Sequence, residues 1–187
     1  MIDVIQATKE DLYRWYGKNE LSFIERLKAN NIPQIRFMNM KRKVDYYREK
    51  NKVLYLIYSV VYKNYKIKYG VDMPAKLRIG KGVIIEHLGG ITINPDVVIG
   101  NNICIYNGVT IGVEKRGKRA GCPVIGDKVW IGANSVVVGG IKVGTNVLIA
   151  PGSFVNFDVP DNSIVVGNPG KVIERMDATE GYIINLI

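Results

Sequence analysis

The chain has little histidine and little cysteine: one His and two Cys among 187 residues. Two cysteines, Cys104 and Cys122, cannot build a disulfide framework, which points to a reducing, cytoplasmic home. A lone histidine, His87, sets aside a zinc centre that needs three histidine ligands, so no metal is expected. Long apolar runs are missing too. The longest, "VLYLIYSVVY" at residues 53–62, falls well short of the ~20 residues that span a bilayer. It reads as a buried helix, with a surface-lying helix as the lesser alternative. The opening "MIDVIQATKEDLYRWYG" lacks the basic start and apolar run of a secretory signal. The net charge of +9 raises nucleic acid as a partner, but no binding module supports it.

Acidic residues and glycine are sparse in the first third. Residues 1–70 hold 15 Lys+Arg against 7 Asp+Glu, whereas residues 71–187 hold 11 against 10. Apolar residues at Leu21, Ile24 and Leu27, and again at Leu54, Ile57 and Val61, keep helical spacing. Thr8 with Asp11 three positions later has the form of a helix start. Gly17, Pro33 and Asn51 mark breaks. The pattern predicts three or four short helices.

What the remainder has is a period. Ile79, Ile85 and Ile91 are six apart, as are Ile99, Ile105 and Ile111, and then Ile125, Ile131, Val137, Val143, Ile149 and Val155. No helix and no simple strand repeats every six residues. Flat six-residue faces joined by corners make a parallel β-helix, aliphatic side chains inward and glycine or asparagine at the corners. Residues 74–168 supply roughly five coils, enough to bury a continuous core. The period breaks twice. The step from Ile91 to Ile99 is eight, just after His87, and the step from Ile111 to Ile125 is fourteen, which extrudes the loop "VEKRGKRAGCP". A passive scaffold needs neither; loops carried on a rigid frame are where function concentrates.

These residues resemble a known family. The repeat, "GVTIG", the extruded loop and the closing "VVGNPGKVI" resemble the hexapeptide-repeat acyltransferases over residues 70–173. Within them the resemblance is to serine acetyltransferases and to the O-acetyltransferases of bacterial surface polysaccharides. The resemblance implies a left-handed parallel β-helix at 71–173, behind a basic helical region at 1–70 and before a tail at 174–187. It implies acetyl-CoA as cosubstrate and a homotrimer with the acetyl-CoA cleft between neighbours. His87 becomes the general base for a hydroxyl attacking the thioester. Asp72, fifteen residues earlier across "IGKG" at 79–82, becomes its orienting partner, with Glu86 as the rival. Acceptor contacts are expected at Glu86, Asn107, Arg119 and Cys122. Acetyl-CoA contacts are expected at Gly112, Val113, Ala133, Ala150 and Lys171.

The serine branch carries "RHP" in the loop, where this chain has Gly121 and Cys122 before Pro123, and an aspartate where this chain has Glu86. A site without that bidentate arginine argues against free serine. The expectation is therefore O-acetylation of a sugar, in an acidic capsular or surface polysaccharide drawn to the basic helices. Contact with the inner face of the membrane is left open. Serine O-acetyltransferase is the alternative, and a non-catalytic binding solenoid the second alternative.

Overall fold

The computed structural model describes residues 4–187; the first three residues of the expected helical region lie outside the described residues. Four helices come first: α1 (Val4–Tyr16), α2 (Phe23–Asn31), α3 (Pro33–Lys50) and α4 (Lys52–Tyr69). They end where side chains compete for the backbone. Ser22 and Glu25 cap α2 reciprocally, Pro33 opens α3, and Asn51 accepts from the Leu54 amide at 3.0 Å to start α4. Gly70, at φ 62°, closes α4 in the left-handed conformation.

Two expectations are corrected here. Thr8 and Asp11 do not start a helix; α1 runs from Val4, so both lie inside it. And α4 is not a buried helix. Tyr62 is its only buried residue, while Val53, Leu56, Ile57 and Val60 are all more than half exposed. One side of α4 packs on α3 and on the first strand of the solenoid; its opposite side is bare.

The solenoid has three faces. Face I stacks β1 (Val71–Asp72), β4 (Ile91–Ile93), β7 (Thr110–Gly112), β10 (Val136–Val138) and β13 (Phe154–Val155). Face II stacks β2 (Arg78–Ile79), β5 (Val98–Ile99), β8 (Val124–Ile125) and β11 (Lys142–Val143). Face III stacks β3 (Ile84–Ile85), β6 (Cys104–Ile105), β9 (Val129–Ile131), β12 (Val147–Ile149) and β14 (Ser163–Val166), and is closed by β15 (Lys171–Glu174). All pairings are parallel except β14 with β15. This is the left-handed parallel β-helix of hexapeptide repeats, about five turns long. Ile85, Ile105, Ile131, Ile149 and Val165 form one buried column. Corners use Asn102, Asn134, Asn146 and Asn162 at positive φ. Coils approach closely there: a methyl group on Gly100 would sit 2.6 Å from the Gly126 carbonyl oxygen.

A solenoid's first coil has no preceding coil to satisfy its outward carbonyls, and buried unpaired carbonyls are costly. The helices supply the donors. Tyr62 donates to Met73 O at 2.8 Å, Lys41 to Leu77 O at 3.1 Å, Arg42 to Gly80 O at 2.6 Å and Arg14 to Gly82 O at 3.1 Å. Arg48 reaches Ala75 O, and Gln34 reaches Glu86 O at 3.0 Å. Asp11, buried, accepts from the Val83 amide and pairs with the equally buried Arg42 at 2.8 Å. Phe37, Met38, Val44 and Tyr62 join the solenoid interior in one continuous core.

Lys41 is fully buried against Asp45 and Leu77 O, and burial lowers its pKa to about 8, with Asp45 opposing. The unfolded chain therefore holds this proton more tightly than the native one. The cost of burying the cation is fully present below about pH 8 and is relieved as pH rises toward the ordinary lysine value near ~10.4. Wild-type stability should accordingly rise relative to that of Lys41→Met between about pH 8 and ~9.5, measured by urea unfolding. Parallel pH profiles for the two proteins would refute this.

Candidate active site

The register explains why His87 interrupts the repeat. Glu86 N donates to Ile105 O at 2.9 Å, which puts Glu86 level with Tyr106 in the next coil. Gly108 N donates to Gly89 O at 2.8 Å, which puts Gly89 level with Asn107. His87 and Leu88 between them have no counterparts: they are the two extra residues. The sequence placed the insertion after Ile91, but Ile93, not Ile91, aligns with Ile111 on face I, so the slip lies at the histidine itself. Leu88 turns in against the core; His87 is exposed at the corner between faces III and I. The edge of its ring meets Tyr106, centroids 5.3 Å apart at 73°.

The expected site residues fall into two groups. Glu86, His87, Asn107, Ala133 and Ala150 lie along the III–I edge, coil above coil; the Asn134 amide bonds Asn107 O at 3.0 Å and the Gly152 amide bonds Ala133 O at 2.9 Å. Gly112, Val113, Arg119 and Cys122 lie at the I–II edge, around the loop between β7 and β8. That loop is pinned at its base by the Glu114–Gly121 bridge, and Lys115–Ala120 are exposed. Face I separates the groups by roughly 15–20 Å, from six residues at about 3.3 Å each. One subunit does not bring them together. Lys171 is elsewhere, exposed on β15.

Individual partners are as follows. Asp72 is exposed on face I, opposite Thr92, and its carboxylate pairs with Lys66 at 2.6 Å. Among the described residues no hydrogen bond joins His87 to Asp72 or to Glu86. Arg119 donates to Asn156 O, so its guanidinium braces the loop against the solenoid. The Cys122 thiol lies 3.3 Å from Asn94 Oδ1, and burial first, Asp96 second, raises its pKa.

Sequence reasoning missed Arg14, Tyr106 and the residues around them. A cavity of about 290 Å³ opens beside Glu86, between face III and the final segment of the chain, lined by Arg14, Trp15, Glu86, Cys104, Tyr106 and Tyr182 among others. Trp130 links the rings of Tyr106 and Tyr182, at 4.8 and 5.1 Å. Burial, then the Glu86 charge, pushes the Cys104 thiol up to about 12, so it stays protonated, 4.0 Å from Glu86 Oε2. No local sequence pattern marks this cavity, because α1 and the final segment meet from opposite ends of the chain. Among the described residues no group of three or more His, Cys, Asp or Glu side chains could hold a metal ion, and no helix is long and apolar enough to cross a membrane.

Comparison with known proteins agrees on one group. The family described as "Bacterial transferase hexapeptide (six repeats)" matches residues 122–156. "Serine acetyltransferase 4" of Arabidopsis thaliana is 41% identical over 111 residues, covering 58% of this chain and 31% of that protein. The serine acetyltransferase of Staphylococcus aureus strain COL is 42% identical over 108 residues, covering 57% of this chain and 50% of that protein. This chain thus spans half or less of these curated relatives. The Neisseria gonorrhoeae serine acetyltransferase solved in complex with serine superposes with a TM-score of 0.73 at 31% identity, covering 91% of this chain and 69% of that one.

These findings overturn the expectation of a sugar acceptor in an acidic polysaccharide, since the relatives are named for serine. The structure supplies the physical reason why charge misled. Part of this charge has structural work: Arg14, Lys41, Arg42 and Arg48 bind the first coil's carbonyls, and Lys18 and Arg48 pair with Glu25 and Asp45. The helices' tyrosines are engaged as well: Tyr47 stacks on Tyr58 at 5.0 Å, Tyr65 packs edge-on against Tyr69, and Tyr62 is buried.

Proposed function

This chain belongs to the hexapeptide-repeat acyltransferase family, and on that premise we propose that it is a serine O-acetyltransferase using acetyl-CoA. The observation that carries the reading is the extrusion of the sole histidine, His87, from an otherwise regular stack onto an exposed edge. Imidazole is the side chain whose ordinary titration lies nearest neutrality, which suits it to take a proton and give it back.

In the proposed reaction His87 accepts the serine hydroxyl proton as the oxygen attacks the thioester carbonyl. The tetrahedral intermediate collapses by breaking the carbon–sulfur bond, and the imidazolium returns the proton to the departing thiolate. O-acetylserine and free CoA result, and the histidine is regenerated. Tyr106 buttresses the ring through its edge contact. Asp72 pairs with Lys66 through Oδ1, which leaves its second oxygen to orient His87. Backbone amides near Gly112 and Val113 stabilise the oxyanion, and Ala133 and Ala150 leave room along the edge for the pantetheine arm.

We infer a homotrimer from the same geometry. The histidine edge and the loop edge are divided by face I within a chain, so a complete site forms where one subunit's His87 edge meets a neighbour's loop. A cyclic trimer generates three such sites.

The direct test is CoA release by the purified protein with acetyl-CoA and serine, against simple sugars and acidic glycans at equal salt. Serine is expected to be the best acceptor by kcat/KM. A sugar that exceeds serine, or the absence of turnover with every acceptor, defeats the reading.

A further inference from the structure

Helix α4 carries two apolar faces, and the fold uses only one. Its tyrosines turn inward: Tyr55, Tyr58, Tyr65 and Tyr69 pack against the core, and Tyr62 is buried with its hydroxyl donating to Met73 O. These rings fix the rotation of the helix about its axis, so the side facing away is fixed too. That side is aliphatic. Val53, Leu56, Ile57, Val60 and Ile67 are each more than half exposed. At about 3.6 residues per turn they fall within an arc of about 100°, interrupted by Asn64 alone. Lys52 and Lys63 border the arc on one flank and Lys68 on the other, all three exposed, and α4 has no Asp or Glu.

A continuous aliphatic stripe in water is unfavourable, and such patches mark surfaces of association. The charges decide what covers this one. A second α4 laid against it would set lysine against lysine, with no acid on either helix to pair them. An anionic lipid surface reverses the balance: the aliphatic side chains enter the boundary between headgroups and acyl chains, while the flanking lysines extend to the phosphates. The surrounding helices favour the same occupant. Residues 1–70 hold 15 Lys+Arg against 7 Asp+Glu, and the region stays basic when the buried Arg14, Lys41, Arg42 and Asp11 are set aside.

We propose that α4 is a membrane-surface anchor, whose aliphatic stripe and bordering lysines dock the protein on an anionic lipid bilayer. The helix lies in the plane of the surface, because it is not long and apolar enough to cross. This docking does not depend on which acceptor the His87 site uses. It does place that site: α4 leads through Gly70 into the coil that carries His87, so the docked helix holds that end of the solenoid beside the lipid.

Flotation of the purified full chain with vesicles tests the anchor. Vesicles of phosphatidylcholine with phosphatidylglycerol should bind it at least about tenfold more tightly than vesicles of phosphatidylcholine alone, and added salt should release it. Leu56→Ser/Val60→Ser should weaken binding to the anionic vesicles by about tenfold or more, since two aliphatic groups no longer leave water. Lys63→Gln/Lys68→Gln should weaken it by about tenfold on anionic vesicles and leave residual binding to neutral ones unchanged. All four positions are exposed, so thermal unfolding should match the wild type. Val124→Ser, at an exposed valine on face II, should change nothing. Absence of wild-type binding to anionic vesicles overturns the proposal, as does equal binding to neutral ones or an equal loss from Val124→Ser. If Leu56→Ser/Val60→Ser lowers the mass found by sedimentation, the stripe is a contact between copies of the chain and the anchor is refuted. Should a double variant unfold, the lipid and salt dependence of the wild type decides.

Discussion

Turnover of His87→Ala is expected to fall by at least about a hundredfold, the usual scale for a positioned general base, with acetyl-CoA affinity changed little. The expectation rests on location. His87 is exposed, lies outside the stacked register and meets Tyr106 edge-on outside the core, so its removal leaves no cavity there. Leu88, the other inserted residue, holds the corner against the interior and is untouched by the substitution. Thermal unfolding of the variant should therefore match the wild type while CoA release collapses. If the variant turns over serine at more than about a tenth of the wild-type rate, proton transfer by this imidazole is not the mechanism.

A second large effect is expected from mixing two inactive proteins. One carries His87→Ala. The other has Lys115–Ala120 replaced by two glycines, a change the Glu114–Gly121 bridge can absorb as a tight hairpin. Each alone lacks one edge at every site and should be nearly inactive. Co-assembled in equal amounts, they place an intact His87 edge beside an intact loop at about one interface in four, given random cyclic assembly. Activity should return to about a quarter of wild type. A mixture as inactive as its parts would show that histidine and loop serve the same subunit.

The sequence carries the solenoid in its spacing, because inward aliphatic residues must recur wherever coils stack. Ile85, Ile105, Ile131 and Ile149 were readable as a series and are a buried column. The insertion near His87 was visible as a step of eight but misplaced, since Ile91 and Ile93 are both buried and only pairing tells which one stacks on Ile111. The helix breaks at Pro33 and Asn51 rest on local backbone chemistry and fell where expected. Long-range polar pairings left no local trace. Asp11 meets Arg42 across 31 residues, and Arg14 meets Gly82 across 68. Without those pairings the whole basic third read as a surface field for a polyanion, although Arg14, Lys41 and Arg42 are buried inside the molecule. Arg14 looked like one more member of that field, and so the charged cavity beside the histidine stayed hidden.

Parallel stacking has no intrinsic end: every coil offers the next one the same rows of donors and acceptors, and an uncovered coil is a template for another molecule. Here growth is terminated at both ends by different chemistry. At the start, side chains from three helices, α1, α3 and α4, fill the first coil's valences, the carboxylate of Asp11 in α1 among them. At the finish, the chain reverses after β14, and β15 runs antiparallel from Lys171 to Glu174, pairing Val165 with Val172. A reversed strand cannot pass on the six-residue register, so on face III the rod is polymer-inert where it would otherwise propagate. The fold behaves as a capped oligomer of its own repeat, with length set by its terminators, which leaves the long edges between the faces as the surfaces open to lateral assembly.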